Sequence, residues 1–251
     1  MTSTTSKRGG ADVRPDADRR GPLAVHGTPE VRASIWMTCS SGLLFAGLFV
    51  TALLLLWQTP GMSGSDAAWR DFYGAGRGQD LVTVGLYLVP FAGIAFIWHM
   101  SATRTMLDAV PGKPAEVPRW LQTVAGIVFV CMLFAGCAAV AAVALESKFS
   151  SAPMPAVNDA RALTAVGYSM VFVFGVRAAG MFMLATTTLF RSRGLLNRWQ
   201  AALSYLTATF LLVSTTFHPS IVLVFPGWMV LLCLVLLGHQ LRARPAPTPP
   251  E

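Results

Sequence analysis

Residues 121–145 read LQTVAGIVFVCMLFAGCAAVAAVAL and contain no Asp, Glu, Lys or Arg. At about 1.5 Å of rise per residue, a helix of this length can cross the roughly 30 Å hydrocarbon core of a bilayer. The whole chain has the same character, since 54% of its 251 residues are hydrophobic and only 12% are charged. In a soluble domain, about a quarter of the residues are charged. The stretch therefore indicates a membrane-spanning helix in a chain that is mostly surrounded by lipid.

Five further apolar stretches accompany this one. Each is close to or above the roughly 20 residues that a spanning helix needs, and they are residues 35–57, 81–98, 163–190, 201–217 and 221–238. The sequence thus predicts an all-α, polytopic transmembrane bundle of six helices within residues 31–241. Residues 1–30 and 242–251 are polar and rich in Pro, Gly and Arg, so we expect them to be disordered tails.

The positions of the cations predict the orientation of the bundle. Of the 19 Lys and Arg residues, 14 lie in the two tails and in the second and fourth connections. The opposite connections hold four, which are Arg70, Arg77, Lys148 and Arg161. Because Lys and Arg concentrate in cytoplasmic loops, both ends are predicted to be cytoplasmic. Topology also explains the net charge of +7 without a basic patch for nucleic acid, so no nucleic-acid partner is expected.

Arg177 is the one charged residue within the six predicted spans. A cation at that depth costs about 2.5 to 3.5 kcal/mol on insertion scales, so it normally faces the bundle interior. Two roles are open for it: a structural one, hydrogen-bonded between helices or snorkelling to the interface, and a ligand-binding one. For the second role, we expect Arg177, Tyr168 and Tyr87 to line a cavity beside a kink at Pro90.

A basic cluster follows the fourth predicted span. It consists of Arg191, Arg193 and Arg198 beside Trp199. Such a cluster can attract anionic lipid headgroups with about 1 kcal/mol per cation, which makes these arginines candidates for a headgroup site. The alternative is that they only set the orientation of the neighbouring spans.

The connections and kinks give further expectations. Residues 58–79, the longest connection, are expected to form a solvated loop, with a short amphipathic helix over residues 67–73 as the alternative. Pro90 and Pro226 are expected to kink their helices. His99 is expected to be a polar anchor at the membrane interface.

Residue types that would identify a chemistry are scarce. The sequence has no GxSxG, P-loop or GxGxxG motif and no paired-histidine motif, which are the usual marks of hydrolases and of nucleotide or metal sites. All four cysteines lie inside apolar stretches, where Cys behaves as a small buried hydrophobe. We therefore predict no catalytic residues, no metal and no cofactor. The expected partners are membrane lipids and a membrane-protein partner.

Two segments resemble a loose group of uncharacterised polytopic membrane proteins of actinobacteria. The first is PFAGIAFIWH at residues 90–99 with CMLFAG at residues 131–136. The second runs from Arg177 through MFMLATTTLFRSRGLLNRW to Trp199, with FPGW at residues 225–228. Asn197 departs from the group's pattern, in which the basic loop ends in Pro-Arg-Trp. The resemblance implies a six-helix bundle and no particular activity.

These observations favour a non-enzymatic membrane protein of the bacterial plasma membrane. Its role is expected to be accessory, with a lipid or a partner protein bound between its helices. The alternative is a small transporter or permease-like protein with an intramembrane site around Arg177. A membrane enzyme acting on lipid or quinone ranks last, because the sequence offers no converging catalytic groups.

Overall fold

The structure is a computed structural model that describes residues 29–74, 78–110, 115–150, 155–214 and 219–242. Helices account for the secondary structure of these residues, which include no strand. The first helix begins at Pro29, close to the predicted boundary of the transmembrane domain. Most of the two predicted tails lies outside the described residues.

Nine α-helical segments follow one another in the described part of the chain. Two of the joins between them are π-helical, Val84–Leu88 and Ser169–Gly175, and a 3-10 turn, Pro219–Leu223, precedes the last helix. Because the π-helical turns continue the helices on either side, seven continuous helices result. The α-helical segments are α1 Pro29–Leu56, α2 Asp66–Gly74, α3 Gly78–Thr83, α4 Val89–Ala109, α5 Glu116–Phe149, α6 Val157–Tyr168, α7 Val176–Ser192, α8 Arg198–Val213 and α9 Val224–Arg242.

Five of the described helices are long and apolar enough to cross a membrane. They are Val31–Leu56, Gly78–Ala109, Glu116–Phe149, Val157–Ser192 and Ser220–Gly238. They contain five of the six predicted spans, as expected for a multi-pass membrane protein. The remaining predicted span, residues 201–217, overlaps α8, which has only 16 residues, or about 24 Å of helix; residues 215–217 lie outside the described residues. The count of six spans and the shared side of both ends therefore stay predictions.

A cluster of six phenylalanines forms the centre of the bundle. In this phenylalanine cluster, Phe96 lies 4.9 Å from Phe45, 5.1 Å from Phe129 and 5.0 Å from Phe182 between ring centroids. Tilted and edge-on aromatic pairs at such distances are favourable beyond the burial of their area. The cluster joins α1, α4, α5, α7 and α9, and its members are Phe45, Phe49, Phe96, Phe129, Phe182 and Phe225, all at most 4% exposed.

Glycine lets α5 and α6 approach closely. A Cβ added to Gly167 would lie 2.4 Å from the carbonyl oxygen of Gly136, and a Cβ on Gly136 would lie 2.8 Å from that of Gly167. Real side chains do not fit at such distances, so both positions require Gly. Small residues at a crossing are the usual way for helices to pack within a membrane.

The first connection is not the solvated loop that we expected. Asp66–Gly74 forms the helix α2, which buries Trp69 and Phe72. Trp69 packs with Val143 and Val157 of the neighbouring helices. The alternative over residues 67–73 was therefore correct, because the apolar face of this short helix has a surface to cover. We call α2 the cap helix.

The two prolines differ from each other. Pro90 lies in the first turn of α4, directly after the π-helical turn Val84–Leu88, so an irregular helix does accompany it. Pro226 lies in the first turn of α9, which begins at Val224. The N–H groups of a first turn have no partner within the helix, so Pro is tolerated there. Pro226 lies just after the 3-10 turn Pro219–Leu223 inside the candidate span Ser220–Gly238, so the kink expected at Pro226 stays a prediction.

Candidate functional site

Arg177 lies in the first turn of α7, just after the π-helical turn Ser169–Gly175. Its side chain is half-buried, and Nη1 donates a hydrogen bond of 2.8 Å to the backbone oxygen of Val173. That carbonyl belongs to the π-helical turn, where the backbone departs from the regular i to i−4 pattern. The contact lies within one continuous helix and is not the expected hydrogen bond between helices, so both roles of Arg177 stay predictions. It leaves other guanidinium donors for a further partner.

The two predicted tyrosines occupy different surroundings. The hydroxyl of Tyr168 lies 2.9 Å from the Oγ1 atom of Thr59, which follows α1. Tyr87 belongs to the π-helical turn Val84–Leu88 and is 58% exposed, as expected for a side chain that faces lipid. Tyr168 is nine residues from Arg177, about 13 Å along a helix. The three residues therefore do not line one cavity, although each lies in or beside a π-helical turn.

An apolar cavity lies beside Tyr168. It has a volume of about 30 Å³ and is lined by side chains of α1, α5 and the second π-helical turn, among them Phe49, Leu53, Cys137 and Phe172. Tyr168, whose hydroxyl is hydrogen-bonded to Thr59, is also among the lining residues. A cavity of this size holds one or two water molecules at most. It is too small for a transported solute.

The cap helix is fixed to the start of α6 by Arg161. The Nη2 atom of Arg161 lies 2.9 Å from the Oδ1 atom of Asp66 and also donates to the backbone oxygen of Gly64. Within the cap helix, Tyr73 is half-buried, and burial, followed by the nearby Tyr168, raises the pKa of its hydroxyl to about 12. The cap helix thus closes the end of the bundle at which Tyr168 lies.

The three arginines of the basic cluster have different environments. Arg193 points inward, and its guanidinium donates to the backbone oxygens of Leu107 and Val110, so it caps the end of α4. Arg191 and Arg198 are exposed, and within the described residues neither side chain has a hydrogen bond or ion pair. Arg193 therefore has a structural role through these two hydrogen bonds, whereas the guanidinium groups of Arg191 and Arg198 are unpaired in the described part of the chain and could contact an anion.

A groove separates α8 from α9, although these helices are neighbours in the sequence. The helix α8 crosses α7 at Gly180, where an added Cβ would lie 2.9 Å from the backbone oxygen of Ala208. The helix α9 packs instead on α1, where the thiols of Cys39 and Cys233 each lie 3.7 Å from the other residue's carbonyl oxygen. The two helices therefore pack against different neighbours and leave a space between them, which we call the α8–α9 groove.

The α8–α9 groove has a volume of about 490 Å³, within the range of roughly 300 to 1,000 Å³ that is usual for ligand sites. Trp228 and Ser204 form its floor. The indole N–H of Trp228 donates a hydrogen bond of 3.0 Å to the hydroxyl of Ser204. Its walls are Leu196, Gln200, Leu203, Thr207, Val224, Gly227, Leu231, Leu232 and Val235. Each wall has helical spacing in the sequence, but nothing in the sequence indicates that the two helices diverge.

His99 differs from our expectation of an interfacial anchor. It is completely buried, and its Nδ1 lies 2.9 Å from the backbone oxygen of Thr38. Because a carbonyl only accepts, Nδ1 carries the proton and donates. The expectation failed because the second span continues to Ala109. Within the described residues, no three His, Cys, Asp or Glu side chains form a group that could hold a metal ion.

Comparison of the chain with protein-family models, curated proteins and solved structures gave no match. The class of protein is therefore defined by the structure itself, as a multi-pass helical membrane protein.

Proposed function

We propose that this protein is a non-enzymatic accessory component of the bacterial plasma membrane that binds a lipid or a partner helix at its surface. The packing of the bundle centre is the observation that carries the proposal. The phenylalanine cluster fills the space where five helices meet, and the apolar cavity beside Phe129 and Phe225 has a volume of only about 10 Å³. A water molecule barely fits in such a space and would find no polar partner there.

Transport of a polar solute requires a different interior. A transporter binds its substrate near the bilayer midplane with converging polar groups or helix ends. Here the centre is aromatic and aliphatic, and the two predicted tyrosines lie away from Arg177. A larger space, the α8–α9 groove of about 490 Å³, lies beside the bundle and opens at the side of the helices. Binding at the lipid-facing surface is thus better supported than passage through the centre.

Access of water to Cys137 tests this proposal. Cys137 is 4% exposed and lines the cavity beside Tyr168, so a solute path through the bundle would reach it. We expect a charged methanethiosulfonate reagent to leave Cys137 unmodified in the nanodisc-embedded protein, as read by peptide mass spectrometry. A Ser63→Cys variant, whose new thiol lies in the exposed first connection, serves as the reactive control. Modification of Cys137 as fast as that control would contradict the proposal.

A small transporter is the second candidate, and the two π-helical turns favour it. Such turns occur often at functional sites, and here they adjoin Tyr87, Tyr168 and Arg177. If Arg177 binds a solute or an anion, Arg177→Gln will abolish a bound ligand that native mass spectrometry detects with the unaltered protein. If its role is the contact with Val173, the ligand profile will stay the same.

A further inference from the structure

Each polar side chain that lines the α8–α9 groove makes a hydrogen bond within the protein. The Thr207 hydroxyl donates to the backbone oxygen of Leu203 at 2.9 Å, and the Ser204 hydroxyl accepts from Trp228. The Gln200 side chain closes a capping box with Asn197 at the start of α8. What the groove presents is therefore mainly hydrocarbon surface, which fits an aliphatic chain better than a polar molecule.

One end of the groove carries positive charge. Leu196 and Gln200 line this end of the groove. Arg198 lies between them in the sequence, is exposed, and has no side-chain partner within the described residues. Arg198 also occupies the first turn of α8, where the helix dipole favours an anion. The neighbouring Trp199 is 86% exposed, as expected for a ring at the level of lipid headgroups.

The dimensions of the groove match a lipid chain that enters from this end. Along α8 the lining runs from Gln200 to Thr207, about 10 Å of helix, and along α9 from Val224 to Val235, about 16 Å. The longer side is about half of the roughly 30 Å hydrocarbon core, so with Trp199 at the headgroup level the groove would extend across one leaflet. A chain in the groove and an anion at Arg198 would then belong to the same molecule.

We infer that the α8–α9 groove binds one acyl chain of an anionic phospholipid, whose phosphate lies at Arg198. The inference rests on the proposed accessory function and gives its ligand a chemical class. The two can fail separately, because a lipid in the groove does not depend on water access to Cys137. Hydrocarbon contact supplies most of the affinity, and Arg198 supplies the preference for an anionic headgroup.

Native mass spectrometry of the protein with equal amounts of phosphatidylglycerol and phosphatidylcholine tests the inference. We expect one bound phosphatidylglycerol on the unaltered protein. Gly227→Leu should remove it, because Gly227 lines the groove and an added Cβ would have nothing within 4 Å. Gly47→Leu is the matched control, since Gly47 is also helical, exposed and open, and it should retain the lipid.

Arg198→Ala separates the charge from the groove without risk to the fold, because the side chain is exposed. We expect the preference for phosphatidylglycerol to fall about fivefold, as for the loss of one cation near a headgroup. Arg104→Ala, which removes another exposed arginine, should leave the preference unchanged. Equal binding of the two lipids by the unaltered protein, or equal retention by the Gly227→Leu and Gly47→Leu variants, would overturn the inference.

Discussion

Gly42 of α1 lies directly against His99 of α4. A Cβ added to Gly42 would be 2.9 Å from Nδ1 of the imidazole and 3.2 Å from the Sγ atom of Cys233 on α9. Three helices therefore meet where α1 has no side chain. The same imidazole donates to the backbone oxygen of Thr38, one turn earlier on α1, so neither ring nor backbone can shift without loss of a buried hydrogen bond.

Gly42→Ala is expected to destabilise the protein by about 1 to 3 kcal/mol, the usual effect of overpacking a core. This result would be opposite to the intrinsic helix propensities, which favour Ala over Gly by about 1 kcal/mol. Gly47→Ala, on an open part of the same helix, should be neutral or stabilising. Thermal unfolding in detergent measures both variants. A Gly42→Ala variant as stable as Gly47→Ala would show that α1 and α4 are not in close contact.

Arg193→Ala is expected to destabilise the bundle, whereas Arg191→Ala should have little effect. Arg193 donates to two carbonyl oxygens at the end of α4, and hydrogen bonds from a charged donor contribute about 1.5 to 3 kcal/mol. Arg191 is exposed in the last turn of α7, just before Arg193. The two unfolding temperatures, measured in the same detergent, check this prediction. Equal losses in both variants would mean that the arginines act only through their charge.

Tyr73 is expected to ionise well above the usual range. Its pKa is raised from 10.0 to about 12, mainly by burial. Because the folded-state pKa is the higher one, the contribution of neutral Tyr73 to stability is complete below pH 10 and is lost as the pH rises through 12. Absorbance at about 295 nm should show a tyrosine step near pH 12 that Tyr73→Phe removes. Tyr87→Phe, at an exposed position, is the control and should leave that step in place. If the step near pH 12 persisted in Tyr73→Phe, the burial of Tyr73 in the cap helix would be contradicted.

Arg161→Ala is expected to loosen the cap helix, because it removes both the ion pair to Asp66 and the hydrogen bond to Gly64. Limited proteolysis with trypsin reports this loosening, since Arg70 is exposed on the cap helix. Cleavage after Arg70 should be several-fold faster than in the unaltered protein. Arg119→Ala breaks the ion pair with Asp108 instead and serves as the control. Unchanged cleavage in Arg161→Ala would show that the apolar contacts of Trp69 suffice.

The spans could be predicted because long apolar stretches have a single good solution in lipid, a helix. The cap helix was only the alternative prediction, because its seven-residue pattern is short and the burial of Trp69 depends on Val143 and Val157, which are distant in the sequence. His99 was misplaced for a related reason. Hydropathy identifies the apolar part of a helix, whereas α4 continues past Trp98 through a buried His99 to Ala109.

The candidate site was predictable only in part. The exposed charges of Arg191 and Arg198 followed from their position after a span, but the inward turn of Arg193 depends on the end of α4. The α8–α9 groove arises from the packing of α8 on α7 and of α9 on α1. Such divergence of two sequence neighbours is a tertiary property, and the residue pattern of either helix does not contain it.

The embedding of α8 in the membrane is the premise of both the six-span prediction and the lipid groove. Ser6→Cys and Thr248→Cys variants, treated with an impermeant thiol reagent in intact and in permeabilised cells, test it most directly. With six crossings, both tails are modified only after permeabilisation, while Ser63→Cys is modified in intact cells. Modification of one tail and protection of the other in intact cells would mean an odd number of crossings and would contradict the embedding of α8.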